Sequence, residues 1–407
     1  MIYSLEDIQF IESLFSRFYD IGATLSGGVT RLGYTKEEDE MHNLLGVIGK
    51  EMGLEVMHDE VGNTFLGNTA SKADYYLIGS HLDSVVDGGR YDGTAGLLAG
   101  LLVMHWLKRN DRPVPVRVGA FRCEESSNFG IATLGSSLVT GHLKDMDLSR
   151  LTGRDNAVLG DIFKEKGYNL RPEKIRGIRG YLELHIEQGR VLQEYNQRIG
   201  LVTTIAGNRR LNLYIQGMAE HSGATPMTMR QDALCAAAEL ILEIEQIGLS
   251  ESVRSSVATA AVVNVVPNAI NVIPGEVRLQ VDTRGVEAAS LQEMERRIKE
   301  AGKAIARRRG IGFIKEKIAD TEPVQLCFPM LDKLDQVVHK LGISNRRMIS
   351  GAGHDAMRFA DICDTALIFI PCRDGVSHNK NEYVSMESIC EGAMVLYSYL
   401  CEEYKES

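Results

Sequence analysis

The stretch that decides the fold is YYLIGSHLDSVVDGGRYDGTAG, at residues 75–96. It begins with an apolar run over 75–80, whose length is typical of a buried strand. His81 and Asp83 follow in a polar, glycine-rich loop, and an apolar helix is predicted over 93–108. A buried strand that ends in histidine and acid before a helix indicates an α/β sheet with functional side chains at the strand ends.

Two later segments repeat this arrangement. A buried strand is predicted over 116–122 and is followed by the acid pair Glu124 and Glu125, and another over 181–186 is followed by Gln188. The polar stretch between them, about 144–178, lacks strong periodicity and is predicted to cross the surface. Because parallel strands end at the same edge of a sheet, we expect these polar residues to gather in one place.

The pattern changes after about residue 210. The predicted order becomes β-α-β-β-α-β, which is the ferredoxin-like split unit. Its strands are predicted at 211–216, 257–265, 276–283 and 312–317, and its helices at 229–247 and 287–309. We therefore predict a second domain over 210–325, inserted into a first domain formed by 1–209 and 326–407. The α/β pattern of the first domain resumes with a strand at 366–370 and a final helix at 385–403.

Composition and charge exclude several classes of protein. The chain has 45 Lys+Arg against 55 Asp+Glu, a net charge of -10, and no dense basic stripe, which argues against nucleic acid as a partner. Its longest apolar run, Ala95–Met104, is half of the roughly 20 residues that a membrane span needs. The first ten residues, MIYSLEDIQF, lack the basic flank of a signal peptide. The seven cysteines form no CxxC pair and are expected to be reduced thiols, so we expect a cytoplasmic enzyme.

Histidines and carboxylates converge at the predicted strand ends. They are His81, Asp92, Glu124, Glu125, His185 and His378. Two or three histidines with two or three carboxylates at one sheet edge are typical of a zinc or manganese site. The alternative is a set of solvated loop acids with unrelated histidines. Several such residues at the ends of one sheet favour the metal site over that alternative.

Longer motifs extend this pattern over the chain and resemble a known family. They are GSHLDSVVDGGRYDGTAG, CEESSNFG, ELHIEQG, GMAEHSGATPM, PNAINVIPG followed by DTR, SGAGHDAM and IPCRDGVSHNKNEY. In this order they resemble the M20 metallopeptidase family, and within it the hydantoinase/carbamoylase branch. The resemblance runs from about residue 28 to 400. It implies an aminopeptidase-like catalytic domain with a mixed sheet and a dinuclear metal centre, and an inserted ferredoxin-like lid and dimerisation domain.

The resemblance assigns the residues of the centre one by one. It implies two divalent metal ions, zinc or manganese, with Asp92 as the bridging carboxylate. His81 and His185 complete one metal site, and Glu125 and His378 the other. Glu124 then resembles the general base, and Asp83 resembles the acid that orients the imidazole of His81.

Further residues resemble the family's substrate contacts. His221 resembles a histidine that comes from the partner subunit of a homodimer and stabilises the developing oxyanion. The remaining contacts implied for a small ureido or N-carbamoyl acid are Gln188, Asn271, Arg284, Gly353 and His354. Arg284 would pair with the substrate carboxylate. Taken alone, an arginine at a strand end is more typical of a salt bridge with a nearby acid.

The implied activity is hydrolysis of the linear amide of an N-carbamoyl-L-amino acid to the amino acid, ammonia and carbon dioxide. Allantoate or ureidoglycolate is the alternative substrate. Two departures from the family pattern leave the choice open: Asn128 replaces the arginine that often follows the second strand, and residues 207–210 read Gly-Asn-Arg-Arg, closer to the allantoate branch than to typical carbamoylases. The segment FGIATLGSSLVTG is closer to the carbamoylases. An aminoacylase or dipeptidase is disfavoured by His185, where those relatives usually carry an acid, and a non-catalytic binding protein by Glu124.

Overall fold

The computed structural model describes residues 3–67 and 74–406, with side chains to 404. It divides into two compact units, Met1–Thr203 with Gln325–Ser407 (unit 1) and Thr204–Val324 (unit 2). The first of the two boundaries expected from the sequence, 209/210, falls inside a strand that spans Gly207–Gln216.

Strands and helices alternate through most of the chain. The strands are β1 Glu55–His58, β2 Thr64–Gly67, β3 Tyr75–His81, β4 Val116–Phe121, β5 Ile178–Ile186, β6 Ile199–Ile205, β7 Gly207–Gln216, β8 Val257–Val266, β9 Glu276–Gly285, β10 Gly312–Thr321, β11 Val324–Gln325, β12 Asn345–Ser350 and β13 Asp364–Ile370. The helices are α1 Leu5–Phe18, α2 Lys36–Glu51, α3 Thr94–Arg109, α4 Leu134–Thr140, α5 Leu159–Lys166, α6 Val191–Glu194, α7 Ala233–Glu251, α8 Ala288–Arg309, α9 Phe328–Lys340, α10 Ala356–Phe359 and α11 Met386–Glu406.

Unit 1 is built on a mixed sheet in the order β1-β2-β4-β3-β5-β13-β6-β11, with β12 beside β6. Its four central strands, β4, β3, β5 and β13, are parallel to one another. Every residue of β3 is buried, as expected for a strand covered on both faces. The mixed α/β fold predicted from the sequence is confirmed. The parallel arrangement brings four carboxyl ends to one edge.

Unit 2 has the predicted β-α-β-β-α-β order. Its four-stranded antiparallel sheet runs β10-β7-β9-β8, and α7 and α8 pack their apolar sides on it. Alternate residues of β9 are buried, which is the pattern of a sheet covered on one face. The core of unit 2 comes from β7, β9 and the two helices, and includes Leu213, Leu240, Leu279 and Ile298.

Two local differences from the sequence prediction have physical causes. Helix α7 begins at Ala233, later than residue 229, because the side chain of Asp232 caps it by accepting hydrogen bonds from the N–H groups of Leu234 and Cys235. The segment 144–178 does contain a helix, α5, whose buried residues are Leu159 and Phe163. With only eight residues, α5 is too short to give a clear helical period in the sequence.

The structure also bears on the state of the cysteines and on membrane-spanning helices. All seven cysteines are free thiols in the structure. Among the described residues, no helix has both the length and the apolar character needed to cross a membrane.

Candidate metal centre and active site

The candidate site lies at the edge where the four parallel strands end. His81 is the last residue of β3, Glu124 and Glu125 follow β4, and His185 lies near the end of β5. His378 follows β13 after a short turn. Parallel pairing of β4, β3, β5 and β13 therefore accounts for the meeting of residues that are nearly 300 positions apart in sequence.

A first group of potential metal ligands contains His81, Asp92 and His185 (the first cluster). The Nε2 atom of His185 lies 3.0 Å from Oδ1 of Asp92, and Nε2 of His81 lies 3.4 Å from the same oxygen. All three side chains are buried. Two imidazoles and a carboxylate at these distances form a donor set that suits zinc or manganese.

A second group contains Asp92, Glu125 and His378 (the second cluster). The Nε2 atom of His378 lies 2.9 Å from Oε1 of Glu125 and 3.3 Å from Oδ2 of Asp92. Asp92 thus directs Oδ1 to the first cluster and Oδ2 to the second. A carboxylate shared in this way has the geometry of a ligand that bridges two ions.

The hydrogen bonds of the histidines test whether a cation fits the first cluster. Nδ1 of His81 contacts the carbonyl oxygen of Asp83 at 3.2 Å, and Nδ1 of His185 contacts that of Ile186 at 2.9 Å. A carbonyl can only accept, so each Nδ1 donates, and in its neutral form each imidazole then turns an Nε2 lone pair towards Asp92. Oδ1 of Asp92 has no hydrogen-bond partner in the described part of the chain. When both imidazoles are neutral, a cation between the Nε2 atoms and Oδ1 of Asp92 would balance the facing lone pairs, so the residues fit a metal ion; a proton on either ring can also fill this place.

The electrostatics of the second cluster also favour a cation among these side chains. Hydrogen bonds to Asp92 and Glu125 raise the pKa of His378 to about 11. Burial opposes ionisation of Asp92, yet a protonated His185 and the contacts with all three histidines hold its pKa well below the usual range. The site therefore favours positive charge between these groups, whether a proton or a metal ion supplies it.

Glu124 lies beside the first cluster but belongs to neither group. Its Oε2 atom is 4.0 Å from Nε2 of His81, and its side chain is buried. Burial raises the pKa of Glu124 well above its ordinary value; Glu125 raises it further, whereas His81 lowers it. A carboxyl group with a raised pKa takes up a proton more readily than an ordinary glutamate, which is what a general base must do.

Asp83 connects two of the strand ends. Its carboxylate accepts hydrogen bonds from the backbone N–H groups of Glu124 and Glu125, each at 3.0 Å. Its Oδ1 atom also lies 3.3 Å from Nδ1 of His81. One buried carboxylate therefore holds the end of β3 and the acid pair after β4 in a fixed relation.

Three residues of the site have a left-handed backbone. They are Cys123 with φ 52°, Gln188 with φ 56° and His378 with φ 53°. Residues other than glycine seldom adopt this conformation, and those that do are concentrated at functional sites. Near Cys123 the packing is tight as well, because a Cβ on Gly33 would lie 2.3 Å from the Cβ of Cys123. The sequence alone carries no signal for this backbone strain.

Ser377 and Glu382 are site residues that the sequence analysis missed. Oε1 of Glu382 accepts hydrogen bonds from the backbone N–H groups of Tyr91, at 2.8 Å, and Asp92, at 3.0 Å. The hydroxyl of Ser377 lies 2.9 Å from the other oxygen of Glu382 and 3.2 Å from Oδ2 of Asp92. Both residues flank His378 in the motif DGVSHNKNEY, so their proximity to it was the available signal.

Three of the predicted substrate contacts lie in unit 1. Nε2 of Gln188 donates to Oδ2 of Asp92 at 2.8 Å, so this side chain borders the second cluster. The ring of His354 is buried 4.5 Å from that of His185, and its Nε2 atom lies 2.9 Å from the hydroxyl of Ser350. Gly353 precedes His354 in the chain. Contact of these residues with a substrate stays a prediction.

The other three predicted substrate contacts, His221, Asn271 and Arg284, lie in unit 2, at two separate places. Backbone pairing joins the segments of His221 and Asn271: the N–H of Ser222 donates to the carbonyl of Asn271 at 3.0 Å, and both His221 and Asn271 are exposed. Nδ1 of His221 accepts from two backbone N–H groups, so in the neutral ring Nε2 carries the proton. Arg284 lies near the other end of β9, where its Nε donates to Asp282 at 2.9 Å. The salt bridge considered in the sequence analysis is therefore present.

Comparisons with known proteins agree with the geometry. Residues 77–402 match the family model Peptidase family M20/M25/M40. The N-carbamoyl-L-amino acid amidohydrolase of Geobacillus stearothermophilus is 35% identical over 93% of this chain and 94% of its own, and the allantoate amidohydrolase of Escherichia coli is 33% identical over 95% and 96%. A crystal structure of an amidase of the hydantoinase/carbamoylase family from Burkholderia multivorans superimposes with a TM-score of 0.88, at 32% identity and 97% coverage of both chains.

These relatives confirm the resemblance inferred from the motifs, and both named relatives are amidohydrolases. Enzymes of the M20 family use divalent metal ions, which agrees with the two clusters of potential ligands. The chain belongs to peptidase family M20/M25/M40, and within it to the hydantoinase/carbamoylase branch.

Proposed function

We propose that this protein hydrolyses the linear amide of an N-carbamoyl-L-amino acid and releases the amino acid, ammonia and carbon dioxide. The observation that carries the proposal is Asp92, shared by two clusters of metal-ligand type, with the buried carboxyl of Glu124 beside them. Allantoate and ureidoglycolate are the alternative substrates. The two named relatives support this class of substrate, because one is an N-carbamoyl-L-amino acid amidohydrolase and the other an allantoate amidohydrolase.

The proposal includes two divalent ions, zinc or manganese. His81, His185 and Asp92 would hold one, and Asp92, Glu125 and His378 the other. Two ions held close together lower the pKa of a water molecule towards neutrality and polarise the scissile carbonyl. The hydrogen bonds from Nδ1 of His81 and His185 support the assignment, because they fix the tautomer that leaves each Nε2 available as a ligand atom.

Glu124 would carry the proton during the reaction. It accepts a proton from the attacking water and returns it to the leaving nitrogen, so that ammonia departs as a neutral molecule. Its burial favours a carboxyl that can hold this proton between the two steps. Asp83 fixes the backbone of Glu124 and thereby keeps its carboxyl beside His81.

The two sequence departures that bear on substrate choice have structural roles. Nδ2 of Asn128 donates to the carbonyl of Gly33 at 2.8 Å, and its Oδ1 accepts from the N–H of Arg154 at 3.0 Å, so its amide links loops. Arg209 is buried and forms ion pairs with Asp320 and Glu322. Both side chains are thus engaged within the protein, so neither decides between N-carbamoyl-L-amino acids and allantoate.

Unit 2 is proposed to act as a lid and dimerisation domain. From Glu276, which pairs with Gln216, to Arg284 the strand β9 extends about 26 Å, at roughly 3.3 Å per residue. The paired segments of His221 and Asn271 continue beyond the Gln216 end, away from Arg284. A small ureido acid cannot reach both places in one chain. If His221 and Arg284 serve the same substrate, one of them must therefore come from a second subunit, and we propose His221.

The surface of β8 supports a homodimer of this kind. The strand lies at the edge of the sheet of unit 2, so one side of its backbone is unpaired in the described chain. Its exposed apolar residues include Val257, Val262, Val263 and Val266. A long apolar edge strand is an open template for pairing with another strand. Pairing of two copies through β8 would cover this edge.

The function is tested by measuring ammonia release from a panel of substrates. The panel contains N-carbamoyl-L-amino acids, allantoate, ureidoglycolate and N-acetyl amino acids, each assayed with manganese, with zinc and after chelation. We expect the highest kcat/KM with an N-carbamoyl-L-amino acid and no turnover after chelation. A higher kcat/KM with allantoate or ureidoglycolate would make that compound the substrate in place of an N-carbamoyl-L-amino acid. Turnover of N-acetyl amino acids alone would contradict the proposal.

A further inference from the structure

A polar cavity of about 190 Å³ lies in unit 1 (the Arg90 cavity). It is lined by Arg90, Arg373, Lys380 and Glu382, and by tyrosines that include Tyr19 and Tyr383. The cavity therefore suits a small polar ligand.

The charges that line the cavity are unbalanced. In the described part of the chain, no carboxylate lies within ion-pair distance of Arg90, Arg373 or Lys380. The one acid of the lining, Glu382, already accepts hydrogen bonds from Tyr91, Asp92 and Ser377. Three cations thus face one carboxylate within the lining, which leaves an excess of positive charge there; Asp87, outside the lining, lies near enough to Lys380 for that ammonium to help lower its pKa.

Two of the cations are held in place before any ligand arrives. Arg90 donates from Nε to the carbonyl of Tyr19 at 3.0 Å and from Nη1 to that of Gly27 at 2.8 Å. Its guanidinium also lies 4.1 Å from the ring centre of Tyr19, and its Nη2 has no hydrogen bond to a described residue. The ammonium of Lys380 donates to the carbonyl of Ser26 at 2.9 Å. A fixed cation loses little conformational entropy when it binds an anion.

The third cation lies at the solvent side. The guanidinium of Arg373 is 4.4 Å from the ring centre of Tyr383, and its side chain is exposed. Stacking on a ring leaves the edge of a guanidinium available for hydrogen bonds in its plane. That edge matches the oxygens of a phosphoryl group. Two guanidinium groups and an ammonium around one small space are a common arrangement for a multivalent oxyanion.

We propose that the Arg90 cavity binds a small multivalent oxyanion, either inorganic phosphate or the phosphoryl group of a small monoester. The site is distinct from the metal clusters, but its lining belongs to the same two loops. Arg90 precedes Asp92 by two residues, and Lys380 follows His378 by two. A bound anion would hold these two loops together.

The test is a titration of the metal-loaded enzyme with inorganic phosphate, followed by isothermal calorimetry, with chloride keeping the ionic strength constant. Since a dinuclear metal centre also binds phosphate, the informative quantity is the difference between variants. Arg373→Gln combined with Lys380→Gln removes two exposed cations of the cavity. The matched control is Arg346→Gln, because Arg346 also lies over a tyrosine ring, that of Tyr195 at 4.2 Å.

We expect the parent enzyme and the Arg346→Gln control each to bind one additional phosphate per chain, compared with the variant that combines Arg373→Gln and Lys380→Gln. Arg373→Gln alone should weaken that binding about tenfold, the usual effect of losing one charge-assisted hydrogen bond, and it serves if the double variant does not fold. A parallel titration with glycerol 3-phosphate tests the monoester. If neither anion binds the parent more strongly than the double variant, or if Arg346→Gln loses binding equally, the proposal is wrong.

Discussion

The carboxylate of Asp83 accepts a hydrogen bond from the backbone N–H of Glu125 at 3.0 Å. Asp83 lies in the loop after β3, so this loop fixes the position of Glu125, a proposed metal ligand that follows β4. The same carboxylate accepts the N–H of Glu124 and lies 3.3 Å from Nδ1 of His81. Asp83 therefore sets the positions of one residue from the first cluster, one from the second and the proposed base.

We predict that Asp83→Asn lowers both kcat/KM and metal affinity. The amide keeps one acceptor oxygen, but its NH₂ group would face a backbone N–H, and two donors repel each other. Loss of a group that supports metal ligands typically costs about 10–100-fold in affinity or activity. Metal content by mass spectrometry and steady-state kinetics measure the two effects.

Asp59→Asn is the matched control for that variant. Asp59 is also largely buried and accepts the backbone N–H groups of Val61 and Asn63, at 3.0 and 2.9 Å. It makes no hydrogen bond to a cluster residue within the described chain. An equal loss of metal in both variants would mean that Asp83 acts only through general stability.

Glu124 and Glu125 are adjacent but should respond differently to the same change. We predict that Glu124→Gln retains its metal ions and loses activity by about 10²–10⁴-fold, because it removes the proton acceptor without removing a ligand. Glu125→Gln should instead lose metal, since its Oε1 belongs to the second cluster. The metal content of both purified variants distinguishes the base from the ligand. Loss of metal in Glu124→Gln would mean that Glu124 is the ligand and Glu125 the base.

Gly33 is expected to be intolerant of a side chain. In Gly33→Ala, the new Cβ would lie 2.3 Å from the Cβ of Cys123, which already has φ 52° and directly precedes Glu124. Overpacking of this kind costs about 1–3 kcal/mol, and the displaced loop should also lower kcat. Thermal unfolding and kinetics measure the two effects. Gly46→Ala is the control, because its Cβ would meet only Val56 at 3.4 Å.

Arg284 is predicted to recognise the substrate carboxylate. Arg284→Lys keeps the charge but loses the planar pair of N–H donors, so KM should rise and kcat/KM fall by about 10–100-fold. Amide analogues that lack the carboxylate should be poor substrates of the parent enzyme. The control is Arg210→Lys, because Arg210 also pairs with Asp282, at 3.2 Å. If the parent enzyme turned over the carboxylate substrate and its amide analogue equally well, Arg284 would not be the residue that recognises the carboxylate.

The sequence was informative wherever a local pattern determines the structure. Apolar runs predicted β3 and β4 and gave most of β5, and parallel pairing then brought His81, Glu125 and His185 to one edge. The order of elements predicted the fold of unit 2, because six alternating elements with clear periodicity leave few topologies. The substrate class and residue roles came from the family resemblance, since single histidines and acids carry no such information.

What the sequence could not provide depends on contacts between distant loops. Glu382 supports the backbone of Asp92 from 290 positions away, and nothing in its neighbourhood indicates burial. The left-handed conformations of Cys123 and Gln188 are imposed by surrounding structure, not by their own preferences. The three cations of the Arg90 cavity come from two distant segments and form a pattern only after folding.

Subunit mixing tests whether His221 acts across a dimer. Each of the variants Glu124→Gln and His221→Ala should be nearly inactive alone. In a mixed dimer one site carries both lesions, whereas the other combines an intact Glu124 from one subunit with an intact His221 from its partner. Random exchange makes about half of the dimers mixed, with one good site of two, so roughly a quarter of parental activity should return.

The expected recovery follows from the separation of His221 and Arg284 at opposite ends of the sheet of unit 2. A histidine that serves its own subunit predicts no recovery at any mixing ratio, because every site would then contain a lesion. Subunit exchange is verified independently with a tagged partner, which separates a lack of mixing from a lack of complementation. Exchange without any return of ammonia release would show that His221 acts within its own chain.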